Sequence, residues 1–368
     1  MLNRNYHFAG ENEIESPALV FYEDIIEENI KKTVAMAGGA ERLWPHVKTY
    51  KTAPMIRLLM SYGIRRFKCA TIAEAEMCAQ CSAPHILVSY PLVGPAIGRF
   101  IMLQRRYTGS TFWAIGDDLD QLSLLGQAAS AAKLSVPLLA DVNAGMNRTG
   151  VPFEHIKNFC LRLTKIPGLS LMGLHCYDGH LGLKDAVERG RAAVEEADKL
   201  MAVRAELESI GQKMPVVVLG GTPTFPFHAA NTAAFLSPGT LFIQDYGYAS
   251  KYQDLDFVPG AAVLTRVVSR AHDDLFTLDT GYKAIASDSV AGERGIIADL
   301  PEACPEAHSE EHWVFRTVGA CPSVGTVLYI IPAHICPTTA LYPGVYTVRN
   351  GVLTNYWEII ARNRKISI

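Results

Sequence analysis

The sequence lacks the features that mark several large classes of protein. Its 368 residues carry a net charge of −3 and contain no run rich in Lys and Arg, so nothing in it is typical of a nucleic-acid-binding surface. No apolar run is long enough for a membrane-spanning helix, and Met1-Leu2-Asn3-Arg4 does not begin an apolar signal region. We therefore expect a soluble, cytoplasmic protein with no nucleic-acid or membrane partner.

A disulfide framework is also missing. The eight cysteines are scattered along the chain, which favours reduced thiols. Cys78 and Cys81 have the spacing of a redox motif, but they lie in a helical pattern, so we interpret them as helix residues. With 49% hydrophobic and 19% charged residues, the composition indicates a globular chain, long enough for one large domain and a smaller one.

Short apolar runs alternate with helical patterns over the first two thirds of the chain. Eight such units in roughly 200 residues predict an α/β fold, a closed (β/α)8 TIM-type barrel. A doubly wound open sheet is the alternative, but no glycine-rich dinucleotide turn follows the first strand. The predicted strands are 43–48, 66–70, 85–90, 111–115, 136–142, 169–175, 216–219 and 233–236, the last running on toward Ile243.

Beyond residue 254 the pattern changes to short strands separated by turn signals such as Arg349-Asn350-Gly351. The predicted strands here are 262–269, 275–278, 313–318, 326–331, 344–348 and 357–361. We therefore predict an N-terminal segment, 1–22, that joins the second domain, a barrel at 23–254, and a mostly β C-terminal domain at 255–368.

The first predicted barrel strand ends in Lys48, and polar residues and a helical pattern follow it. Barrel enzymes carry their chemistry at the C-terminal ends of the strands. A lysine there is poorly solvated, which favours its neutral and nucleophilic form. Such a lysine is the usual residue for a Schiff base with a carbonyl cofactor. The alternative is a strand-end lysine whose ammonium reaches solvent.

The loop after the seventh predicted strand, Gly220-Gly221-Thr222-Pro223-Thr224, is a candidate phosphate cradle. Glycines let backbone N–H groups approach an anion, and barrels bind phosphate in the loops after strands seven and eight. An ordinary glycine turn is the alternative. A lysine at strand one and a phosphate site at strand seven together suggest pyridoxal 5′-phosphate, which needs both.

Other polar residues follow the fifth and sixth strands. Arg148 could bond the phenolate of such a cofactor or be a solvated loop cation. Tyr177 could contact the cofactor ring and His180 could handle protons, or the two could be core and surface residues respectively.

In the second domain, His334 and Cys336 lie two residues apart on a segment that we predict to be extended, so their side chains point the same way. They could share a divalent metal, with zinc the best match to a thiolate. Two ligands are too few for a structural zinc and would leave positions open for water or substrate. A buried cysteine and a hydrogen-bonded histidine are the alternative.

These motifs appear in an order that resembles the D-threonine aldolase/D-serine dehydratase family of fold-type III pyridoxal-phosphate enzymes, relatives of alanine racemase. The resemblance covers nearly the whole chain. The motifs that carry it are Pro45-His46-Val47-Lys48-Thr49, Ala70-Thr71-Ile72-Ala73-Glu74-Ala75-Glu76, Gly145-Met146-Asn147-Arg148-Thr149-Gly150, Tyr177-Asp178-Gly179-His180, Gly220-Gly221-Thr222-Pro223-Thr224, Leu278-Asp279-Thr280-Gly281, Glu310-Glu311-His312 and Pro332-Ala333-His334-Ile335-Cys336-Pro337.

The resemblance implies a homodimer with pyridoxal phosphate and a divalent metal, zinc or manganese. Lys48 would form the Schiff base, Arg148 would lie near the phenolic oxygen, and Tyr177 would lie near the ring. The phosphate would be held by Gly220, Gly221 and Thr222. The metal, held by His334 and Cys336, would engage the β-hydroxyl of the substrate.

The expected activity is that of a lyase on β-hydroxy-D-amino acids, favoured as retro-aldol cleavage of D-threonine-like substrates to glycine and an aldehyde. D-serine dehydratase is the alternative, and His180 is the candidate base for the hydroxyl. A racemase needs no hydroxyl-binding metal, and a non-catalytic cofactor-binding protein needs no second domain, so both are disfavoured. The substrate stays open because Trp44, Tyr50, Trp313 and Ala333 replace residues usual in the family.

Overall fold

The computed structural model describes residues 4–368, which form two compact units. One unit comprises Thr33–Lys48, Met55–Gly239 and Asn363–Ile368. The other comprises the residues up to Lys32, together with Thr49–Pro54 and Thr240–Arg362. Among the described residues, no helix combines the length and the apolar character needed to cross a membrane. The domain boundaries expected from the sequence stay a prediction.

The strands and helices are numbered in chain order. The strands are β1 Ala18–Tyr22, β2 Arg66–Cys69, β3 His85–Val88, β4 Thr111–Gly116, β5 Val136–Asn143, β6 Val151–Pro152, β7 Leu169–Cys176, β8 Val216–Leu219, β9 Phe235–Leu236, β10 Ala261–His272, β11 Leu275–Leu278, β12 Gly295–Ile297, β13 Cys304–His308, β14 Trp313–Arg316, β15 Val327–Pro332, β16 Gly344–Arg349 and β17 Val352–Glu358. The α-helices are α1 Glu23–Ala37, α2 Ala53–Ser61, α3 Ile72–Gln80, α4 Pro95–Arg106, α5 Leu119–Ala131, α6 Phe153–Leu163, α7 Ala186–Ser209, α8 Phe225–Asn231, α9 Tyr246–Lys251 and α10 Ile335–Leu341.

The first unit is built on a parallel sheet in the order β2-β3-β4-β5-β7-β8-β9. The segment 43–46 completes this sheet, because Leu43 bridges Leu236 of β9 and His46 bridges Lys68 of β2, both in parallel register. A closed ring of parallel segments with helical connections results, and the predicted (β/α)8 barrel is confirmed. Side-chain caps start several of the outer helices, as Asp118 does for α5 and Asp185 for α7.

The prediction that Lys48 ends a regular strand is wrong in its local geometry. Val47–Thr49 forms a short 3-10 turn, and Lys48 lies on it. Pro45 has no backbone N–H and cannot continue a ladder on both sides. The pairing of this segment includes hydrogen bonds from Trp44 N to Leu236 O (2.7 Å) and from Lys68 N to Pro45 O (2.8 Å). Lys48 nevertheless follows the C-terminal end of the segment that closes the barrel.

Two further strand predictions need correction. The eighth barrel strand ends at Leu236 instead of running on to Ile243, because Pro238 and Gly239 interrupt it and Thr240–Phe242 forms a 3-10 turn. The strand expected at 357–361 is β17, which begins at Val352. Asn350 and Gly351 both have positive φ and form a tight hairpin turn, so the returning strand has to start directly after them.

The inside of the barrel is filled by large apolar side chains. Trp44 lies fully buried at its centre, with ring centroids 5.5 Å from Trp113 and 5.6 Å from Phe235, both in edge-to-face orientation. Its indole Nε1 donates a hydrogen bond to Phe67 O at 3.0 Å. The same cluster includes Leu87, Ile115, Leu139, Val216 and Val218.

The second unit is mostly β, as predicted. Its sheet runs in the order β13-β14-β11-β10-β1-β16-β17, with β15 pairing with β10 and β12. The N-terminal strand β1 pairs antiparallel with β10 and parallel with β16. The sequence predicted no counterpart for β12, β13, α9 or α10.

Replacing Trp44 by alanine should destabilise the barrel by about 3–5 kcal/mol, since it removes a buried indole and both of its ring contacts. Denaturant unfolding of the purified variant measures this loss. Leu124→Ala is the matched control, because Leu124 is 48% exposed on α5, and it should change stability by about 0.5 kcal/mol at most. Equal losses in the two variants would contradict the role given to Trp44.

Candidate active site

Lys48 lies half-buried at the mouth of the barrel. The closing segment runs parallel to β2, so its C-terminal end faces the same way as the C-terminal ends of the other barrel strands. His46 Nδ1 accepts a hydrogen bond from the backbone N–H of Lys48 at 3.3 Å, which helps to hold the 3-10 turn. The amine is therefore fixed to a rigid strand end, where barrel enzymes place their reacting groups.

Two cations lie against the ring of Tyr177, which follows β7. The guanidinium carbon of Arg148 is 5.1 Å from the ring centroid, and Lys68 Nζ is 5.7 Å from it. These are cation–π distances. Arg148 comes from the loop after β5 and Lys68 from β2, so three barrel elements converge here. The structure thus brings together the predicted pair Arg148 and Tyr177.

Sequence reasoning missed Lys68. It is 3% exposed and lies in the middle of a barrel strand, where lysine is rare. Burial lowers its pKa to about 7, helped by the positive charges of Lys48 and Arg148 and opposed by the carboxylates of Asp141 and Asp178. The signal in the sequence was a lysine between two buried apolar residues, Phe67 and Cys69.

Two buried carboxylate–imidazole pairs were also missed. Asp141 Oδ1 lies 2.7 Å from His175 Nδ1, and Asp178 Oδ2 lies 2.6 Å from His228 Nε2. Burial lowers the pKa of His175, although the hydrogen bond to Asp141 acts against it. Three polar atoms of these side chains are not used within the pairs and are buried without a hydrogen-bond partner among residues 4–368. They are His175 Nε2, Asp178 Oδ1 and His228 Nδ1.

The predicted phosphate loop follows β8 and is buried. Gly220 has φ +81°, which only glycine adopts readily, and a Cβ on Gly221 would lie 2.9 Å from Cε2 of Tyr177. Thr222 Oγ1 accepts a hydrogen bond from Gly239 N at 3.3 Å. Ser237, which follows β9, has a buried hydroxyl without a partner among the described residues. Sequence reasoning did not find Ser237, although it lies in the loop after the eighth strand.

His180 lies next to the loop that carries Arg148. Its Nε2 is 3.3 Å from Glu196 Oε2 of α7, and a Cβ on Gly145 would come within 3.0 Å of the same ring nitrogen. Burial raises the pKa of Glu196 to about 8, with the charge of Asp178 adding to the effect. The structure therefore gives His180 a carboxyl partner that the sequence did not indicate.

The second unit contains the His334–Cys336 pair, and the prediction of an extended segment is wrong here. His334 is the N-cap residue of α10, and Cys336 lies in the first turn of that helix. The two side chains are nevertheless in contact, because the first turn folds back beside the cap. Burial lowers the pKa of His334, but hydrogen bonds to Cys336 and Asp288 outweigh it and raise the pKa to about 9.

Neighbouring groups hold this pair in position. Asp288 Oδ2 lies 2.5 Å from His334 Nδ1, and this contact orients the imidazole ring. Thr49 Oγ1, from the residue that follows Lys48 in the chain, lies 3.2 Å from Cys336 Sγ. Among residues 4–368, no group of three or more His, Cys, Asp and Glu side chains is arranged to hold a metal ion.

Comparison with known proteins identifies the family. Residues 23–246 match the model of the alanine racemase N-terminal domain, which is more than half of the chain. The chain belongs to the alanine racemase N-terminal domain family. Residues 260–348 match the "Putative serine dehydratase domain". The resemblance drawn from the sequence motifs is thereby confirmed.

Known relatives align with this chain over almost their whole length. D-threonine aldolase of Arthrobacter sp is 28% identical over 364 residues, 95% of this chain and 93% of that protein. The 3-hydroxy-D-aspartate aldolase of Paracoccus denitrificans (strain Pd 1222) is 26% identical over 369 residues, 96% and 94% of the two chains. The crystal structure of D-threonine aldolase from Filomicrobium marinum superposes with a TM-score of 0.89 at 26% identity, covering 95% and 96%.

Replacing Lys68 by methionine should stabilise the cofactor-free protein, and the gain should depend on pH. The folded-state pKa of Lys68 lies near 7 and the unfolded-state value near 10.5, so the cost of burying it is complete below pH 7 and disappears as the pH approaches 10.5. The gain in the free energy of unfolding, measured with denaturant, should therefore be larger at pH 6.5 than at pH 10. The expected difference is at least about 1.4 kcal/mol, which corresponds to one pKa unit.

The control for this comparison is Lys165→Met, a change of the same chemistry at an exposed position. It should leave stability nearly unchanged at both pH values. A gain from Lys68→Met that is the same at both pH values would contradict the buried-lysine interpretation.

Proposed function

We propose that this chain is a pyridoxal-phosphate-dependent, metal-assisted lyase of β-hydroxy-D-amino acids. The favoured reaction is retro-aldol cleavage of D-threonine-like substrates to glycine and an aldehyde. The observation that carries the proposal is the half-buried Lys48 at the barrel mouth, beside the cluster of Lys68, Arg148 and Tyr177. The alternative is β-elimination from D-serine to a keto acid and ammonia, which the match to a serine dehydratase domain favours.

The residues around Lys48 fit pyridoxal phosphate. An aldehyde needs an amine, which Lys48 supplies. A phosphate needs N–H and O–H donors, and the hydroxyl of Ser237 is one that has no partner among the described residues. The N–H of Gly220 donates to Cys176 O at 2.9 Å and that of Gly221 to Thr224 Oγ1 at 3.3 Å, so these two glycines would serve by leaving room for the phosphate. Any side chain at position 221 would enter the space beside Tyr177. When bound, pyridoxal phosphate supplies an electron sink for the electron pair that is left on the substrate Cα.

Each side chain has a role in this proposal. Lys48 would hold the cofactor through its Nζ, and the same nitrogen, when free, would move a proton at the substrate Cα. Arg148 would donate hydrogen bonds to the phenolic oxygen of the cofactor, and Tyr177 would lie near its ring. Thr222 joins the phosphate loop, and His180, held by Glu196, accepts the proton of the β-hydroxyl.

The donor set of the second unit fits an open divalent metal site. Cys336 offers a thiolate and His334 the imidazole Nε2, since Nδ1 faces Asp288. Thiolate and imidazole suit zinc, with manganese as the second candidate. When bound, the metal supplies Lewis acidity at the β-hydroxyl of the substrate. Since two protein ligands leave several positions open, water and substrate can complete the coordination.

Two further proposals come from the resemblance and the composition. We infer that the protein acts as a homodimer, as members of this family do, and that it is cytoplasmic. A racemase and a non-catalytic cofactor-binding protein remain the less favoured functions, for the reasons given from the sequence.

Turnover of two substrates tests the proposed reaction most simply. The enzyme loaded with pyridoxal phosphate and zinc or manganese is incubated with D-threonine and, separately, with D-serine. Acetaldehyde and glycine from D-threonine are expected, whereas pyruvate and ammonia from D-serine would establish the alternative. Lys48→Ala is the control and should lose turnover. Absence of both reactions in the loaded wild type would contradict the lyase proposal.

Removing the carboxylate that orients His334 should weaken metal binding. Asp288→Asn is expected to lower the affinity for zinc by about 10- to 100-fold, the usual effect of losing such a partner. Metal content after dialysis against graded chelator concentrations measures this, and the same dialysis should abolish turnover of the wild type until metal is restored. Asp273→Asn, at an exposed turn, is the control. Equal metal retention in both variants would argue against the site.

A further inference from the structure

Lys68 is the buried group for which the proposed reaction has no use. Its backbone pairs with the segment that leads to Lys48. Lys68 N donates a hydrogen bond to Pro45 O at 2.8 Å, and Lys68 forms a parallel β-bridge with His46. Lys48 comes two residues after His46. The two lysines therefore belong to neighbouring segments of the closed barrel, and the charge of Lys48 adds to burial in lowering the pKa of Lys68.

The surroundings of the Lys68 ammonium do not neutralise it. Its contact is the face of the Tyr177 ring at 5.7 Å, and no carboxylate of residues 4–368 lies within ion-pair distance of its Nζ. Asp141 and Asp178 face it, but each binds a histidine instead, His175 at 2.7 Å and His228 at 2.6 Å. A buried amine without an ion-pair partner changes its charge easily within the physiological pH range.

We propose that Lys68 is a charge-tuning lysine that, when charged, lowers the proton affinity of the Lys48 nitrogen that carries the cofactor. The inference rests on the proposed function, since it concerns Lys48 in the loaded enzyme. Lys68 is a positioning residue in this account, because it acts through Lys48. The physical cause is repulsion between two positive charges, one of which lies on the buried amine of Lys68.

Other charged and titratable groups face Lys68 from the elements around it, and they favour or disfavour its charged form. Arg148 adds to the repulsion, whereas the two carboxylates favour the charged form of Lys68. These groups include His46 and Lys48 from the closing segment and its turn, Asp141 from β5, Arg148 from the following loop, and His175, Tyr177 and Asp178 from β7 and its end.

The visible absorbance band of the lysine-bound cofactor reports on this coupling. In the loaded wild type, a pH titration of the band should show two inflections, of which the lower follows Lys68. Lys68→Met should show one inflection. Lys68→Arg, whose charge is permanent, should also show one, at a lower pH than Lys68→Met. Lys165→Met should titrate like the wild type.

Several outcomes would overturn the inference. Survival of the lower inflection in Lys68→Met, or equal midpoints in the methionine and arginine variants, would show that Lys68 does not tune the nitrogen. If Lys68 had only a structural role, the methionine and arginine variants would behave alike, and the midpoint of the absorbance titration would not differ between them. A wild type without any visible band would contradict the proposed cofactor instead.

A second variant keeps the test decisive if Lys68→Met does not fold. Asp141→Asn removes a negative charge that faces Lys68, so the lower inflection of the loaded enzyme should move to lower pH. An unchanged or raised lower inflection in Asp141→Asn would contradict the proposal.

Discussion

Closure of the barrel by one short segment is the constraint on which the candidate site depends. Residues 43–46 pair with β9 on one side and β2 on the other, and Trp44 fills the space beneath them. After His46, whose N–H still donates to Pro238 O at 3.0 Å, the chain leaves the barrel in a 3-10 turn. That exit places Lys48 at the mouth, on a backbone held from both sides. A rigid strand end positions a reacting group more closely than a free loop does.

The second organising feature is the distribution of charge inside the barrel. Lysine and arginine side chains meet at the Tyr177 ring, while the two nearby carboxylates are bound to imidazoles. This arrangement keeps positive charge near Lys48 without cancelling it. A buried lysine without an ion-pair partner, such as Lys68, costs stability, and such groups concentrate where a site is adjusted for function rather than for folding.

The sequence predicted the fold well because alternation of apolar runs and helical patterns is a local signal that repeats eight times. It also singled out Lys48 and the Gly220–Thr222 loop, which stand at strand ends. It could not find Lys68, Asp141 or His228, because their importance comes from meeting partners on distant strands inside the barrel. The extended geometry expected for His334 and Cys336 failed for a related reason. The start of α10 is fixed by contacts such as the hydrogen bond from Ile335 N to Asp245 at 3.1 Å, which no local pattern reveals.

Chemical trapping of the cofactor tests the central claim most directly. Borohydride reduces the bond between the cofactor and its lysine, so that mass spectrometry of the digested protein identifies the modified residue. The pyridoxyl group is expected on the peptide that contains Lys48. Its presence on Lys68, or its absence from both lysines in enzyme saturated with pyridoxal phosphate, would contradict the account.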